Sequence, residues 1–204
     1  GIGDWSFQDF VRAVRHGVAP DGSPYYPAFP FEFYATLTDR DMADMWAAVQ
    51  EVPPSNFVPE ENEVPLPFSI RQGVKLWRTF FYEPVDYVVD ETKSTSWNRG
   101  RFMVEGPAHC AACHTPRNFA GGLDTDAQFA GASGGTAGWT APPITTEALA
   151  EGGWTEESLI AALRTGLTPT GDAFGGAMAE VVHLSTSYLL DQHIEDMAEF
   201  LMDQ

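Results

Sequence analysis

A mainly α-helical chain, built from two copies of one unit of which only the second is complete, is predicted by two alignments within the sequence itself. Trp5 to Gly22 (WSFQDFVRAVRHGVAPDG) and Trp154 to Gly171 (WTEESLIAALRTGLTPTG) match without a gap, 149 residues apart. Trp5/Trp154, Ala13/Ala162, Arg15/Arg164, Gly17/Gly166, Pro20/Pro169 and Gly22/Gly171 are identical pairs. Asp39 to Met45 (DRDMADM) and Asp191 to Met197 (DQHIEDM) match 152 residues apart, which implies three residues inserted in the second copy. Similarity at a long fixed offset marks a duplicated supersecondary unit.

Each copy of the longer repeat reads as one helix with its signals. A hydroxyl residue after the tryptophan (Ser6, Thr155) is an N-cap, an amphipathic run follows, and Gly17 or Gly166 stops it before a Pro-containing turn. A further helix ends at Val52 before Pro53-Pro54, so residues 1–54 are expected to be the C-terminal half of a first unit. Half a unit buries little core on its own, and the N-terminal part of this copy is expected to have been lost rather than to have evolved into a cap. Residues 55–96 form the linker. Its first part, VPPSNFVPEENEVPLPF, is Pro- and Glu-rich and therefore extended. Its aromatic stretch Ile70 to Tyr82 is partly helical and is expected to pack on a neighbouring domain; a membrane or partner surface is the competing reading. Residues 97–204 form the complete unit. Its first helix is expected to start near Asn98, with Gly100 admitting a close neighbour. Its last helix, His193 to Met202, offers Met197, Phe200 and Leu201 at helical spacing.

The chemistry of the complete unit is concentrated in Cys110-Ala111-Ala112-Cys113-His114. C-x-x-C-H is the attachment signature of c-type haem. Two thiols at this spacing reach the two vinyl groups of one porphyrin, and the adjacent histidine stands beneath the iron as a ligand. The chain has only these 2 cysteines, so a four-thiolate zinc site is out of reach. A thioredoxin-type dithiol wants a βαβ setting that the pattern does not provide. One covalently bound haem c is therefore expected in this chain. Projecting the motif back by the repeat offset puts a first C-x-x-C-H roughly 35–40 residues before Gly1, so a second haem is expected in the intact protein.

The iron needs a ligand on its other face, for which Met178, His183, His193 and His109 are the candidates. Met178 lies in GGAMAEVV, after two glycines, and a methionine-bearing loop over the distal face suits a cytochrome. His183 is second choice; His193 reads as a helix-surface residue and His109 is too near the motif to reach the far side. The position matching Met178 in the first copy is Phe29, which cannot ligate iron. His16, the one histidine in that copy, reads as a surface residue. A proline of the Pro142-Pro143 pair can aim its carbonyl at the proximal imidazole N–H. Trp139 or Trp154 could donate to a haem propionate, and Arg117 could pair with one; for Trp154 core packing is the competing reading.

With 29 acidic against 11 basic residues and a net charge of -18, the chain is unsuited to nucleic acid. The same charge favours steering toward a basic docking patch, or equally reflects a saline environment. No apolar run is long enough to span a membrane. Haem c is attached outside the cytoplasm, so a removed leader and a periplasmic location are expected.

The stretch WNRGRFMVEGPAHCAACHTPRN, the linker PFSIRQGVKLW, and the blocks GIGDWSFQDFVRAVRHGVAPDG and YPAFPFEFY resemble multihaem cytochromes c over essentially the whole chain. Specifically they resemble the cytochrome subunits of membrane-associated alcohol, gluconate and related dehydrogenases and their soluble dihaem relatives. The resemblance implies tandem class I cytochrome c domains, the first incomplete at its N-terminus, with Cys110, Cys113, His114 and Met178 holding the haem and Pro142 as the proximal carbonyl. It implies an electron-transfer protein rather than an enzyme, passing electrons from a dehydrogenase to a quinone-linked or oxidase acceptor. The family often has Met where Phe29 stands. That leaves a dihaem redox enzyme of peroxidase or thiosulfate-oxidising type, with an open haem in the first unit, as the alternative.

Overall fold

A computed structural model describes residues 1–58, 60, 63–66, 69–134 and 139–204, Trp139 by its backbone only. The chain divides into two compact units, Gly1–Tyr87 and Val88–Gln204. The first contains α1 (Phe7–His16), α2 (Phe31–Tyr34), α3 (Asp39–Gln50) and α4 (Arg71–Phe81). The second contains α5 (Thr95–Glu105), α6 (Ala111–His114), a short antiparallel hairpin of β1 (Ala132–Gly134) and β2 (Trp139–Ala141), then α7 (Thr146–Glu151), α8 (Glu156–Thr165), α9 (Gly176–Leu184) and α10 (Asp191–Met202). The architecture is mainly α.

The sequence repeat recurs in the hydrogen bonds that cap these helices and turn the chain after them. Ser6 accepts from the Asp9 N–H while Asp9 accepts from the Ser6 N–H, a reciprocal cap on α1. Thr155 and Ser158 do the same on α8. Both helices end on a left-handed glycine, Gly17 at φ 58° and Gly166 at φ 78°, where any other residue is strained. The chain then doubles back, Tyr25 N–H donating to Gly17 and Phe174 N–H to Gly166, each at 2.8 Å. A repeated arginine clasps the entry to the next long helix. Arg15 donates to the Leu37 carbonyl and pairs with Asp39; Arg164 donates to the Leu189 carbonyl and pairs with Asp191. The insertion appears between these points, where α2 has 4 residues and α9 has 9.

In the first unit Phe10, Phe31, Leu37 and Met42 form the core. The helix expected within the linker is α4, and it belongs to this unit: Val74 is buried and the Tyr82 hydroxyl donates to the Arg15 carbonyl at 2.6 Å.

In the second unit α5 crosses α10. The crossing is centred on Gly100, where a Cβ would lie 1.9 Å from the Asp196 carbonyl oxygen. Trp97 meets Phe200 edge-on with ring centroids 5.1 Å apart and donates its indole N–H to the Asp203 carbonyl at 2.7 Å. Asp196, buried in α10, is held by the Arg99 guanidinium through two bonds of 2.6 and 2.9 Å. Helix α5 begins at Thr95, one turn before the expected Asn98, because the Ser94 hydroxyl caps it by accepting from the Trp97 N–H. Val104, Ile194 and Met197 are fully buried alongside. This helix pair is the platform from which the chain turns into the Cys110–His114 segment.

Candidate haem-binding site

Helix α5 ends at Glu105, and the Cys110 N–H donates back to the Val104 carbonyl at 3.1 Å. His109 adopts a left-handed φ of 39°, and its carbonyl accepts from the Ala112 N–H, starting a new helical turn. The Cys113 and His114 N–H groups both donate to the Cys110 carbonyl, at 3.2 and 2.9 Å. One turn thus places Cys110, Cys113 and His114 at helical i, i+3 and i+4 positions, which share a face. Both thiols are free. Burial pushes the Cys110 thiol up to about 12, which holds it as a thiol and is unlike the low-pKa cysteine of a redox dithiol. Among the described residues no cluster of three His, Cys, Asp or Glu side chains is placed to hold a metal, so the further protein ligands of a structural zinc site are lacking there.

The His114 ring is fixed from the β2 side. Its Nδ1 lies 2.7 Å from the Pro142 carbonyl oxygen. A carbonyl only accepts, so Nδ1 carries the proton and Nε2 keeps its lone pair. Burial lowers the His114 pKa, the bond to Pro142 opposes it, and burial is the larger effect, so the neutral ring is favoured. A neutral imidazole with Nδ1–H on a carbonyl and Nε2 open is the form that ligates a metal.

The segment that delivers Pro142 is built around Thr115, Phe129 and Gly131. The Gly131 N–H donates to the His114 carbonyl at 2.7 Å, and the Phe129 N–H donates to the buried Thr115 hydroxyl at 3.0 Å. The Ile144 N–H returns to the Phe129 carbonyl at 2.9 Å. Phe129, at φ 60°, is a buried aromatic in the left-handed region, a conformation held by its surroundings at a cost of about 1–3 kcal/mol. Sequence reasoning missed all three residues; only Gly131, before a small-residue stretch, carried a signal of close backbone approach. At φ 83°, with Pro143 N only 2.8 Å from where a Cβ would be, Gly131 has no room for a side chain. Gly131→Ala is expected to displace Pro142 and weaken its bond to His114. With His114 as an iron ligand, the imidazole would then be a poorer electron donor, and the reduction potential of a haem held there should rise in a spectroelectrochemical titration.

Met178, expected in a loop, is in a helix instead: it occupies the first turn of α9, half-buried, two residues after Gly176. Gly176, at φ 55°, makes the bend, and Ala177 to Leu184 then hold the helix, which the preceding glycines masked in the sequence. Trp154, half-buried before α8, stacks on Phe174 with centroids 6.3 Å apart, and its indole N–H has no hydrogen-bond partner among the described residues. Arg117 donates to the Gly121 carbonyl at 2.9 Å and lies 3.4 Å from the Ala112 carbonyl, bracing the loop after the motif. Trp139 opens β2, but its side chain lies outside the described residues. The structure therefore joins His114 directly to Pro142, and Arg117 to the Cys110–His114 turn. Among the described residues no hydrogen bond or ring contact links Met178 or Trp154 to that turn. His183 and His193 lie on α9 and α10, the first exposed and the second half-buried.

No protein-family model matches the chain. Curated relatives do. The fructose dehydrogenase cytochrome subunit of Gluconobacter japonicus is 39% identical over 204 residues, covering 98% of this chain and 41% of the relative. The diheme cytochrome c-type protein of Cereibacter sphaeroides is 36% identical over 201 residues, 98% of this chain and 66% of the relative. The gluconate 2-dehydrogenase cytochrome c subunit of Pantoea cypripedii is 37% identical over 210 residues, 98% of this chain and 47% of the relative. The chain thus spans between two fifths and two thirds of the length of these relatives. Coverage of nearly the whole chain at this identity, together with His114 held by Pro142 beside two free thiols, places the chain in the family of c-type cytochromes.

Proposed function

We propose that the chain is an electron-transfer unit, carrying electrons between a dehydrogenase and a respiratory acceptor in the periplasm. Haem c bound through Cys110 and Cys113 would supply one-electron Fe(II)/Fe(III) chemistry. The observation that carries the reading is the His114–Pro142 bond: it prepares one nitrogen of one histidine as a ligand, immediately after the two attachment thiols. His114 holds the proximal position and Pro142 keeps its tautomer and raises its basicity. Met178, in the first turn of α9, would supply the second protein ligand to the iron. The indole N–H of Trp154, unpartnered among the described residues, is offered to a propionate; Trp139 is the second candidate, while Arg117 braces the attachment loop. The relatives named as dehydrogenase cytochrome subunits support a dehydrogenase as donor and a quinone-linked or oxidase acceptor.

The repeated caps, turns and arginine clasps support tandem class I domains, 1–54 as the later half of one and 97–204 as a complete one, with 55–96 between them and its α4 packed on the first. A second haem belongs to the intact protein on this reading. Phe29, at the position matching Met178, packs edge-on between Tyr25 and Tyr34 with centroids 5.8 Å from each. A haem in the first unit would have no methionine there, which is the one feature favouring the open-haem alternative for that unit.

Pyridine haemochrome analysis and carbon monoxide titration test this reading. One haem per 204-residue chain and slow, partial carbon monoxide binding by the reduced protein are expected. Rapid stoichiometric binding would show an open iron and overturn the electron-transfer assignment for this haem.

A further inference from the structure

The C-terminal turn of α8 borders an open pocket of about 200 Å³, lined by Arg164, Thr165, Gly166, Phe174, Val182 and His183 among others. Its counterpart in the first unit is occupied. Arg15, His16 and Gly17 match Arg164, Thr165 and Gly166, and α4 lies upon them. The Tyr82 hydroxyl donates to the Arg15 carbonyl at 2.6 Å and approaches His16 Nδ1 at 3.4 Å. Arg78 reaches the Gly17 carbonyl at 3.4 Å, with its guanidinium 5.2 Å from the centre of the Phe31 ring. Tyr82 meets the same ring edge-on at 5.1 Å. The last carbonyls of a helix lack intrahelical partners and attract donors and cations. In the first unit α4 supplies both. In the second, nothing among the described residues donates to the Arg164 carbonyl.

Two differences show that the second seat has room for an occupant. A Cβ on Gly17 would lie 2.3 Å from the Phe31 ring, whereas one on Gly166 would lie 3.9 Å from Val182, a smaller side chain standing farther off. Val18 is half-buried, while its counterpart Leu167 is 50% exposed, and Leu184 and Tyr188 are also largely exposed. The charge of Arg164 is already met by Asp191 and two carbonyls, so it does not repel a cation.

We propose that this pocket is a docking seat for a helix of a partner polypeptide, of the α4 kind: one presenting a tyrosine hydroxyl to the Arg164 carbonyl and an arginine four residues earlier. Charge agrees with this occupant. Helix α4 carries Arg71, Lys75 and Arg78 and no acidic residue, while the chain carries a net charge of -18. The proposal extends beyond electron transfer to how the second unit is held by a partner.

The probe is a labelled peptide of the sequence Ile70 to Tyr82, titrated into the haem-loaded full chain and followed by fluorescence anisotropy. Saturable 1:1 binding is expected, at least about tenfold weaker for the peptide carrying both Arg78→Ala and Tyr82→Phe, which removes one charged and one neutral hydrogen bond. Val182→Trp, which fills the pocket, and Leu167→Glu, on its exposed rim, should each weaken binding by a similar factor. Leu167→Glu adds no bulk to the core, so the test survives if Val182→Trp misfolds. No saturable binding, equal binding of a scrambled peptide, or affinity unchanged by Leu167→Glu would overturn the proposal.

Discussion

Gly100→Ala should destabilise the second unit by at least about 3 kcal/mol, the upper range for overpacking a core. The cause is backbone against backbone. An alanine Cβ would sit 1.9 Å from the Asp196 carbonyl oxygen, 2.5 Å from its carbon and 2.9 Å from Phe200 Cβ. No rotamer change relieves a clash with a carbonyl, so α5 and α10 must separate. Separation strains the two bonds from Arg99 to Asp196 and the Trp97–Phe200 contact together. Chemical denaturation should show the loss directly, and the melting temperature should fall by roughly 10 °C or more. Gly73→Ala is the control. Gly73 also lies within a helix, but a Cβ there meets nothing within 4 Å. The same substitution should therefore stabilise α4 by about 0.8–1 kcal/mol through helix propensity alone. Opposite signs for one chemical change would tie the first effect to the helix crossing; a neutral Gly100→Ala would refute that crossing.

The crossing is legible because a glycine in a helical pattern facing a stripe of large apolar residues has few other uses. The arginine clasps are not. Arg15 and Arg164 align at one offset, but their partners Leu37, Asp39, Leu189 and Asp191 align at another, three residues longer. An insertion separates donor from acceptor in register while leaving them together in space. That the second copy keeps the same clasp across a longer α9 shows where the inserted residues are absorbed: between α8 and α10, outside the shared frame. Pairwise spacing does not reveal this, because hydrogen bonds to carbonyls leave no mark on residue type.

The candidate site divides along the same line. Cys110, Cys113 and His114 are legible because covalent chemistry fixes their spacing. Pro142 follows from family resemblance, and the 2.7 Å bond to His114 gives it a physical basis. Thr115, Phe129 and Gly131 are hidden, since they act through a hydroxyl, a backbone conformation and the lack of a side chain. Met178 reads as a loop residue because two glycines precede it. Glycine weakens a helix interior, yet here one of them supplies the positive φ that lets the helix begin, and the residues after it are helix formers.

Met178→Ala should leave α9 intact and change the haem. Alanine is the best helix former, and Met178 is half-buried in the first turn, so helix content should not fall. On the proposed ligation, removing the thioether takes away the ligand that raises the potential of a His/Met iron. The reduction potential should drop by a sizeable part of the roughly 0.8 V range that axial ligands span. The sulfur-to-iron absorption band at the red end should vanish, and the reduced protein should bind carbon monoxide rapidly. His183→Ala should change none of these. Five residues separate the two positions, about 140° around α9 at 3.6 residues per turn, so they face different ways. Met178 is half-buried, whereas His183 is exposed and lines the pocket at the end of α8. If the potential and spectrum instead survive Met178→Ala and change in His183→Ala, the distal ligand lies on the opposite side of α9. The helix would then have to turn about its axis when haem binds, and hydrogen exchange across Gly175 and Gly176 would report that rotation.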